Sequence, residues 1–186
     1  MSDIKVASRY AKALIELAIE KEQLEEVFAD IQEILSVAES NREFQLLLQS
    51  PIVNLEKKKN VIHALFANHA NRITISFYDI VVRKNRANVL LSVAKEFVKQ
   101  YNAYKGIQVG YVTTTIPLTD ELRKSFESIV SEISGLKNIQ LVEKVNPELI
   151  GGFVLKVNDK LLDDSVSGKL RTLRTKLNQR YFVKSY

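Results

Sequence analysis

The sequence has no cysteine, one methionine, two histidines, three prolines and six glycines in 186 residues. Without cysteine there are no disulfides, no thiolate chemistry and no Cys-based zinc or iron–sulfur centre, a composition that fits a reducing compartment. The two histidines, His63 and His69, stand six apart and point to different faces of one helix, so no metal-ligand spacing is present and no metal is expected. No G-x-S-x-G element accompanies them, which removes the usual grounds for a serine triad. Nowhere does the chain approach the roughly 18 to 20 consecutive apolar residues of a membrane span, and the opening MSDIKVASRYAK lacks the apolar segment of a secretory signal. Residence in a cytosol-like compartment is the expectation.

What is present is an ordinary globular composition, 46% hydrophobic and 26% charged, enough for one large or two small domains with a sizeable core. The net charge of +5 permits a nucleic-acid or anionic-membrane partner, but it is spread along the chain. Residues 4 to 20 place Ala7, Tyr10, Ala11, Leu14, Leu17 and Ala18 on one helical face, while Ile4, Ala13, Ile15 and Ile19 make much of the remainder apolar too. Such a helix is either fully buried or keeps a second face for a partner. Residues 23 to 39 form a cleaner stripe of Leu24, Val27, Phe28, Ile31, Leu35 and Ala38, with Glu25, Glu26, Asp30 and Glu33 mostly outward. Ser40 and Glu43 read as a capping box for a short helix carrying Phe44, Leu47 and Leu48, which Ser50-Pro51 ends. Asn54 caps the next helix, and its Lys57, Lys58 and Lys59 read as a solvated face or, less simply, as a contact for an acidic partner. Asn71 to Lys84 has the period of a helix with Ile73, Phe77, Ile80 and Val81, although its β-branched content makes a strand a competitor. Arg86 to Tyr104 is long and amphipathic.

At Lys105-Gly106 the hydrophobic period changes from 3.6 to 2. Ile107, Val109 and Tyr111 start a strand that Pro117 stops; Thr119 with Asp120 and Glu121 opens a helix with the stripe Leu122, Phe126, Ile129, Val130 and Ile133, closed by Gly135. Ile139 to Val145 is a second strand. Asn146-Pro147 then opens a turn, the Gly151-Gly152 pair frees the backbone, Phe153 to Val157 alternates as a strand, and Asn158-Asp159 reverses it into Lys160 to Asp163. Ser165 caps a last helix whose Val166, Leu170, Leu173 and Leu177 form one stripe, with Lys169, Arg171, Arg174, Lys176 and Arg180 off it. The expected architecture is α+β: a six-helix bundle over residues 1–105, then a small α/β domain over 106–186.

Within this plan the features that resemble sites resolve into turns and caps. The double glycine precedes a strand and lacks G-x-G-x-x-G; Gly168-Lys169 fails as a phosphate loop because Asp163 and Leu170 stand where Gly and Ser or Thr are needed; Asp163-Asp164 is better read as turn chemistry than as paired carboxylates. No cofactor is called for. The residues alone describe an adaptor with surplus apolar helix surface and a basic last helix.

Three stretches taken together resemble the delta subunit of rotary F-type ATP synthases, the family of the mitochondrial oligomycin-sensitivity-conferring protein. They are Arg9-Tyr10-Ala11-Lys12-Ala13-Leu14, the hydrophobic segment closing on Arg86, and Asn146-Pro147-Glu148-Leu149-Ile150-Gly151-Gly152-Phe153 continuing to Asp163, Ser165, Gly168, Leu170 and Leu173. The resemblance runs through almost the whole chain, and its last stretch is the most specific. The chain departs from it at Asn146, where the family usually has Asp, and at Asp164 and Asn85, where it usually has Gly. The resemblance implies a non-catalytic peripheral-stalk subunit, one copy per complex, on the cytoplasmic face of a bacterial plasma membrane and without insertion into it. It implies that residues 1–105 receive the N-terminal helix of an alpha subunit and that residues 106–186 meet the b-subunit stalk. Tyr10, Ala13, Leu14, Leu17, Phe28, Phe77 and Ile80 are then expected to form or support the helix-receiving groove, and Leu149, Gly151, Gly152, Asp163, Ser165, Gly168, Leu170 and Leu173 to be structural. The competing readings are nucleic-acid binding by the basic last helix and a free helical adaptor.

Overall fold

In the computed structural model, which describes residues 3–67 and 69–180, eight α-helices and four strands make an α+β protein of two compact units, 1–104 and 105–186. The first unit contains α1 (Asp3–Glu20), α2 (Leu24–Ser40), α3 (Arg42–Gln49), α4 (Leu55–Phe66), α5 (Arg72–Arg83) and α6 (Leu90–Lys105), the last preceded by a 3-10 turn at Ala87–Val89. Period wins over β-branched content in α5 because Thr74, Tyr78, Val81 and Val82 are all buried on one helical face. The core interleaves Ala11, Leu14, Ile31, Ile34, Leu48, Ile62, Phe66, Tyr78, Leu90 and Phe97. These are the i, i+3, i+4 positions of the stripes, as burial of one face per helix requires.

Four local expectations change. Asn54 stands at the N-cap position of α4 but its side chain makes no cap hydrogen bond. Asp30 is buried, not outward: its carboxylate accepts from the Asn71 backbone N–H at 2.9 Å and from Thr74 Oγ1 at 2.5 Å, so α2 caps the start of α5 across 41 residues of sequence. The phase of α2 permits this, since Asp30 stands three residues after buried Val27 and four before buried Ile34. Ser40 does not cap α3; it closes α2 by donating to Ser36 and Val37 carbonyls, and Asn41 is the cap, its Oδ1 accepting from the N–H groups of Glu43 and Phe44. The three lysines of α4 do different things. Lys58 is buried and donates to the carbonyls of Leu48 and Ser50 at 3.0 and 2.7 Å, satisfying the end of α3; burial lowers its pKa. Lys59 pairs with Asp79 at 3.1 Å, and Lys57 is exposed.

The second unit has β1 (Ile107–Thr114), α7 (Asp120–Ser134), β2 (Asn138–Val145), a 3-10 turn at Pro147–Leu149, β3 (Phe153–Val157), β4 (Lys160–Asp163) and α8 (Val166–Arg180). The sheet order is β2-β1-β3-β4, with β1 parallel to β2 and antiparallel to β3. The parallel pair needs a crossover, and α7 supplies it by packing Phe126 and Val130 on Val112, Leu155 and Val157. Leu122, expected in that stripe, is exposed. Gly110 lies under α7, where a Cβ would meet Val130 at 3.0 Å and Leu141 at 3.2 Å. The other face of the sheet carries the register row Val142–Tyr111–Lys156–Leu161, in which Val142, Tyr111 and Leu161 are exposed.

Candidate functional site

α1 is apolar on more sides than one core can cover. Ala7, Ala11, Leu14, Ile15 and Ala18 go inward, which leaves Tyr10, Ala13 and Leu17 beside them unburied. α5 brings Ile73, Phe77 and Ile80 against this strip, and the two helices enclose a groove of about 680 Å³. Leu14, 1% exposed, is its floor; Leu17 and Ile80, 41% and 42% exposed, are its walls, and Ala13 keeps one rim low. Tyr10 and Phe77 meet edge to face with centroids 6.2 Å apart, and the Arg86 guanidinium stands 5.9 Å over the Tyr10 ring. The polar lining is Lys21, Gln23, Asn71, Arg72 and Ser76, confined to a few positions around an apolar strip. The start of α5 is held by Asn71, whose Oδ1 accepts from Ile73 N–H at 2.8 Å, and by Asp30 beneath it.

Six of the seven residues expected at the groove therefore line it. Phe28 does not: it stacks on Tyr101 at 3.8 Å and 14°, and so joins α2 to α6 away from the groove. The Tyr101 hydroxyl donates to Glu25 at 2.6 Å, and burial together with this bond pushes its pKa up to about 12. From spacing alone Phe28 lies on the apolar stripe of α2 just as Tyr10 and Phe77 lie on those of α1 and α5; only packing separates them.

Beside the groove, a second recess of about 470 Å³ lies between α4 and α5. At its edge Asp79 takes His63 Nε2 at 2.8 Å and Lys59 Nζ at 3.1 Å. Burial works to raise the Asp79 pKa, but the hydrogen bonds and charges of His63 and Lys59 outweigh it and hold the carboxyl below its usual range. This cluster ties two helices together, and among the described residues no group of His, Asp and Glu could hold a metal ion.

The glycine and aspartate signature occupies a different place. Asn146 Oδ1 accepts from Glu148 N–H at 3.0 Å and starts the 3-10 turn that contains half-buried Leu149. Gly152 has φ +75°, and a Cβ there would stand 2.3 Å from the Asp164 carbonyl oxygen. A Cβ on Gly151 would press Val166 at 3.1 Å, and Val166 N–H donates to the Gly151 carbonyl at 3.0 Å. Asp163 Oδ1 accepts from the Ser165 N–H at 3.0 Å and from its hydroxyl at 2.6 Å, which holds the Asp163 carboxyl below its usual pKa. Buried Ser165 in turn accepts from Gly168 N–H at 3.0 Å, and a Cβ on Gly168 would collide with the Asp163 carboxylate. These residues form a single joint that fastens the start of α8 to the end of β4 and to the glycine turn. Leu170 and Leu173 lie beyond it and are exposed.

A helical unit with an open apolar groove, and a one-sided sheet unit closed by a glycine and aspartate joint, define a two-unit α+β protein with the build of an adaptor. The family model described as ATP synthase delta (OSCP) subunit matches residues 6–177. An ATP synthase subunit delta of Cytophaga hutchinsonii is 36% identical over 180 residues, covering 97% of this chain and 98% of that one. That of Amoebophilus asiaticus is 32% identical over 185 residues, covering 100% and 98%. A chain in the cryo-EM structure of the Toxoplasma gondii mitochondrial ATP synthase hexamer superposes with a TM-score of 0.73 at 24% identity, over 92% of this chain and 96% of that one, which shows a common fold. The chain belongs to the ATP synthase delta (OSCP) subunit family.

Proposed function

We propose that this chain is the non-catalytic stator subunit of a proton-translocating F-type ATP synthase, joining the alpha-beta catalytic head to the b-subunit stalk. Torque on a central rotor is useful only if the head is held still; a chain with two binding units can hold it. In this reading residues 1–105 work as a six-helix bundle that accepts the N-terminal helix of an alpha subunit, and residues 106–186 face the stalk. The complex carries one copy, on the cytoplasmic face of a bacterial plasma membrane. Among the described residues no helix is long and apolar enough to cross a membrane; in this reading attachment runs through the partner subunits.

The observation that carries this reading is the groove between α1 and α5. From Tyr10 to Lys21 it runs about 16 Å, at about 1.5 Å per residue, which is the length of about three turns of a guest helix. An amphipathic helix laid there buries its stripe on Leu14, Leu17, Phe77 and Ile80 and becomes an additional member of the bundle. The test is titration of the alpha N-terminal peptide against the full chain and against Ala13→Glu and Ile80→Glu. Both positions are exposed, so circular dichroism is expected to show the fold retained, and affinity is expected to fall at least about tenfold, equivalent to about 1.4 kcal/mol. Unchanged affinity in both variants removes the groove from the reading.

A further inference from the structure

α8 is an unusual element for a terminal helix of a small domain. Its first turn is fastened by the Asp163, Ser165 and Gly168 joint, but every residue from Lys169 to Leu177 is exposed. Its apolar stripe is open to solvent: Val166 is 39%, Leu170 53%, Leu173 54% and Leu177 50% exposed. A helix of this length with Ser167, Gly168, Thr172 and Thr175 is marginal by itself in water. A stripe of four aliphatic residues facing water on such a helix calls for a second element to cover it.

The spacing of the stripe and the sign of its flanks state what that element is. Val166, Leu170, Leu173 and Leu177 fall at d, a, d and a of a heptad repeat. Lys169 and Lys176 then fall at g, and Arg174 at e. There is no acidic residue within Val166–Arg180. In coiled coils the e and g positions choose the partner by charge, so basic residues there select carboxylates opposite and reject basic residues. A second copy of this chain would set lysine and arginine against lysine and arginine along the seam. The groove between α1 and α5 differs in kind: it is a concave bed between two helices, whereas α8 offers a single convex seam.

We infer that α8 is a coiled-coil half-site whose occupant is an acidic amphipathic helix, with aliphatic a and d positions and Glu or Asp at e and g. This deepens the stalk reading, because it rests on residues 106–186 facing the stalk and gives that contact a surface and a chemistry. It assigns Leu170 and Leu173 as the seam and Arg174 and Lys176 as the charges that select the partner, since Lys169 is already paired with Asp164 at 2.7 Å.

The test uses the full chain and two synthetic three-heptad peptides with Leu at a and d, one carrying Glu and the other Lys at e and g, followed by fluorescence anisotropy. The Glu peptide is expected to bind at least about tenfold more tightly than the Lys peptide, a difference of about 1.4 kcal/mol. The double variant L170D/L173D, at exposed positions that leave the fold intact by circular dichroism, is expected to lose that binding. The double variant R174E/K176E is expected to reverse the preference. Equal binding of the two peptides, or Glu-peptide binding unaffected by L170D/L173D, overturns the inference. Dimerisation of the chain in sedimentation that L170D/L173D abolishes overturns it in favour of a second copy. DNA binding that survives L170D/L173D but falls steeply with salt overturns it in favour of nucleic acid. Co-purification with the stalk b subunit separates this inference from the reading it rests on. Retention of b by L170D/L173D defeats the α8 seam alone, whereas failure of the unaltered chain to retain b defeats the stalk reading.

Discussion

The two units reach stability in opposite ways. The helical unit spreads its core over all six helices, with fully buried side chains from Leu14 to Phe97. The sheet unit has five buried residues at the centre of its core, Val112, Phe126, Val130, Leu155 and Val157, and depends on a few positions with specific geometry. In the first unit an average residue is replaceable and the period matters; in the second, single residues decide. The same contrast extends to exposed apolar surfaces: the first unit keeps a concave groove beside a large core, while the second leaves a helix and a sheet face uncovered because its core is too small to bury them.

The strongest test of this contrast is Gly152→Ala. The residue has φ +75° and a Cβ would lie 2.3 Å from a backbone oxygen, so the substitution adds backbone strain to a collision with main chain. A loss of about 3 kcal/mol is expected in the second unit. Hydrogen exchange should show lost protection in β3 and β4 with α1 to α5 unchanged; a uniform change across both units would break the distinction.

Asp30→Ala should be the most damaging polar substitution in the first unit, costing about 2 kcal/mol by leaving the Asn71 N–H and the buried Thr74 hydroxyl without their acceptor. It also loosens the start of α5, which lines the groove. Affinity for the alpha peptide should therefore fall together with the melting temperature, although Asp30 does not line the groove.

Titration gives a gentler separation. Asp79 in the first unit and Asp163 in the second both have depressed pKa values, so their stabilisation is present above the unfolded-state value of about 3.9 and is lost as pH falls through the folded-state values. Tyr101 and Tyr78 are raised, Tyr101 to about 12, mainly by burial, with Glu25 adding at Tyr101 and the Asp30 and Glu33 charges at Tyr78. Their neutral forms stabilise the fold below about pH 10, the unfolded-state value, and that contribution disappears as pH rises through the folded-state values. Both tyrosines are in the first unit. Exchange measured unit by unit should therefore show acid weakening both and alkali bearing on the helices; loss of the sheet alone above pH 10 would contradict this.

The smallest effect is expected from Lys12→Ala, which removes an exposed pair with Glu16 at 3.8 Å. Thermal melts should move by less than about 0.5 kcal/mol equivalent, since exposed i,i+4 pairs are screened by water. A larger loss would mean that α1 depends on its outer face as well as on its core.

Much of this molecule was legible in the sequence, and the reason differs by region. Periodicity located the helices because burying one face of a helix requires a 3.6-residue repeat, and the α1 excess was visible because that repeat was overfilled. The turn at Gly151-Gly152 and the cap at Ser165 were visible because backbone geometry restricts which residues can stand there. Asp30 and Lys58 were misread because their partners lie on other elements, and a charged side chain looks the same in sequence whether it meets water or a helix end; Ser40 was misread because the cap is its neighbour Asn41. That Phe28 stacks on Tyr101 and does not line the groove was illegible for a related reason: aromatics on neighbouring stripes differ only in which helix packs opposite.

Sequence by itself determined the alternation of helices and strands, the absence of thiol chemistry and the heptad on the last helix, since each depends on composition or on spacing along one segment. Tertiary structure alone decided that Leu14 is a floor while Leu17 and Ile80 are walls, that Phe28 belongs to Tyr101, and that the leucines of α8 face water. Those outcomes depend on which surfaces meet across many residues of chain, and that is set by the packing of whole elements.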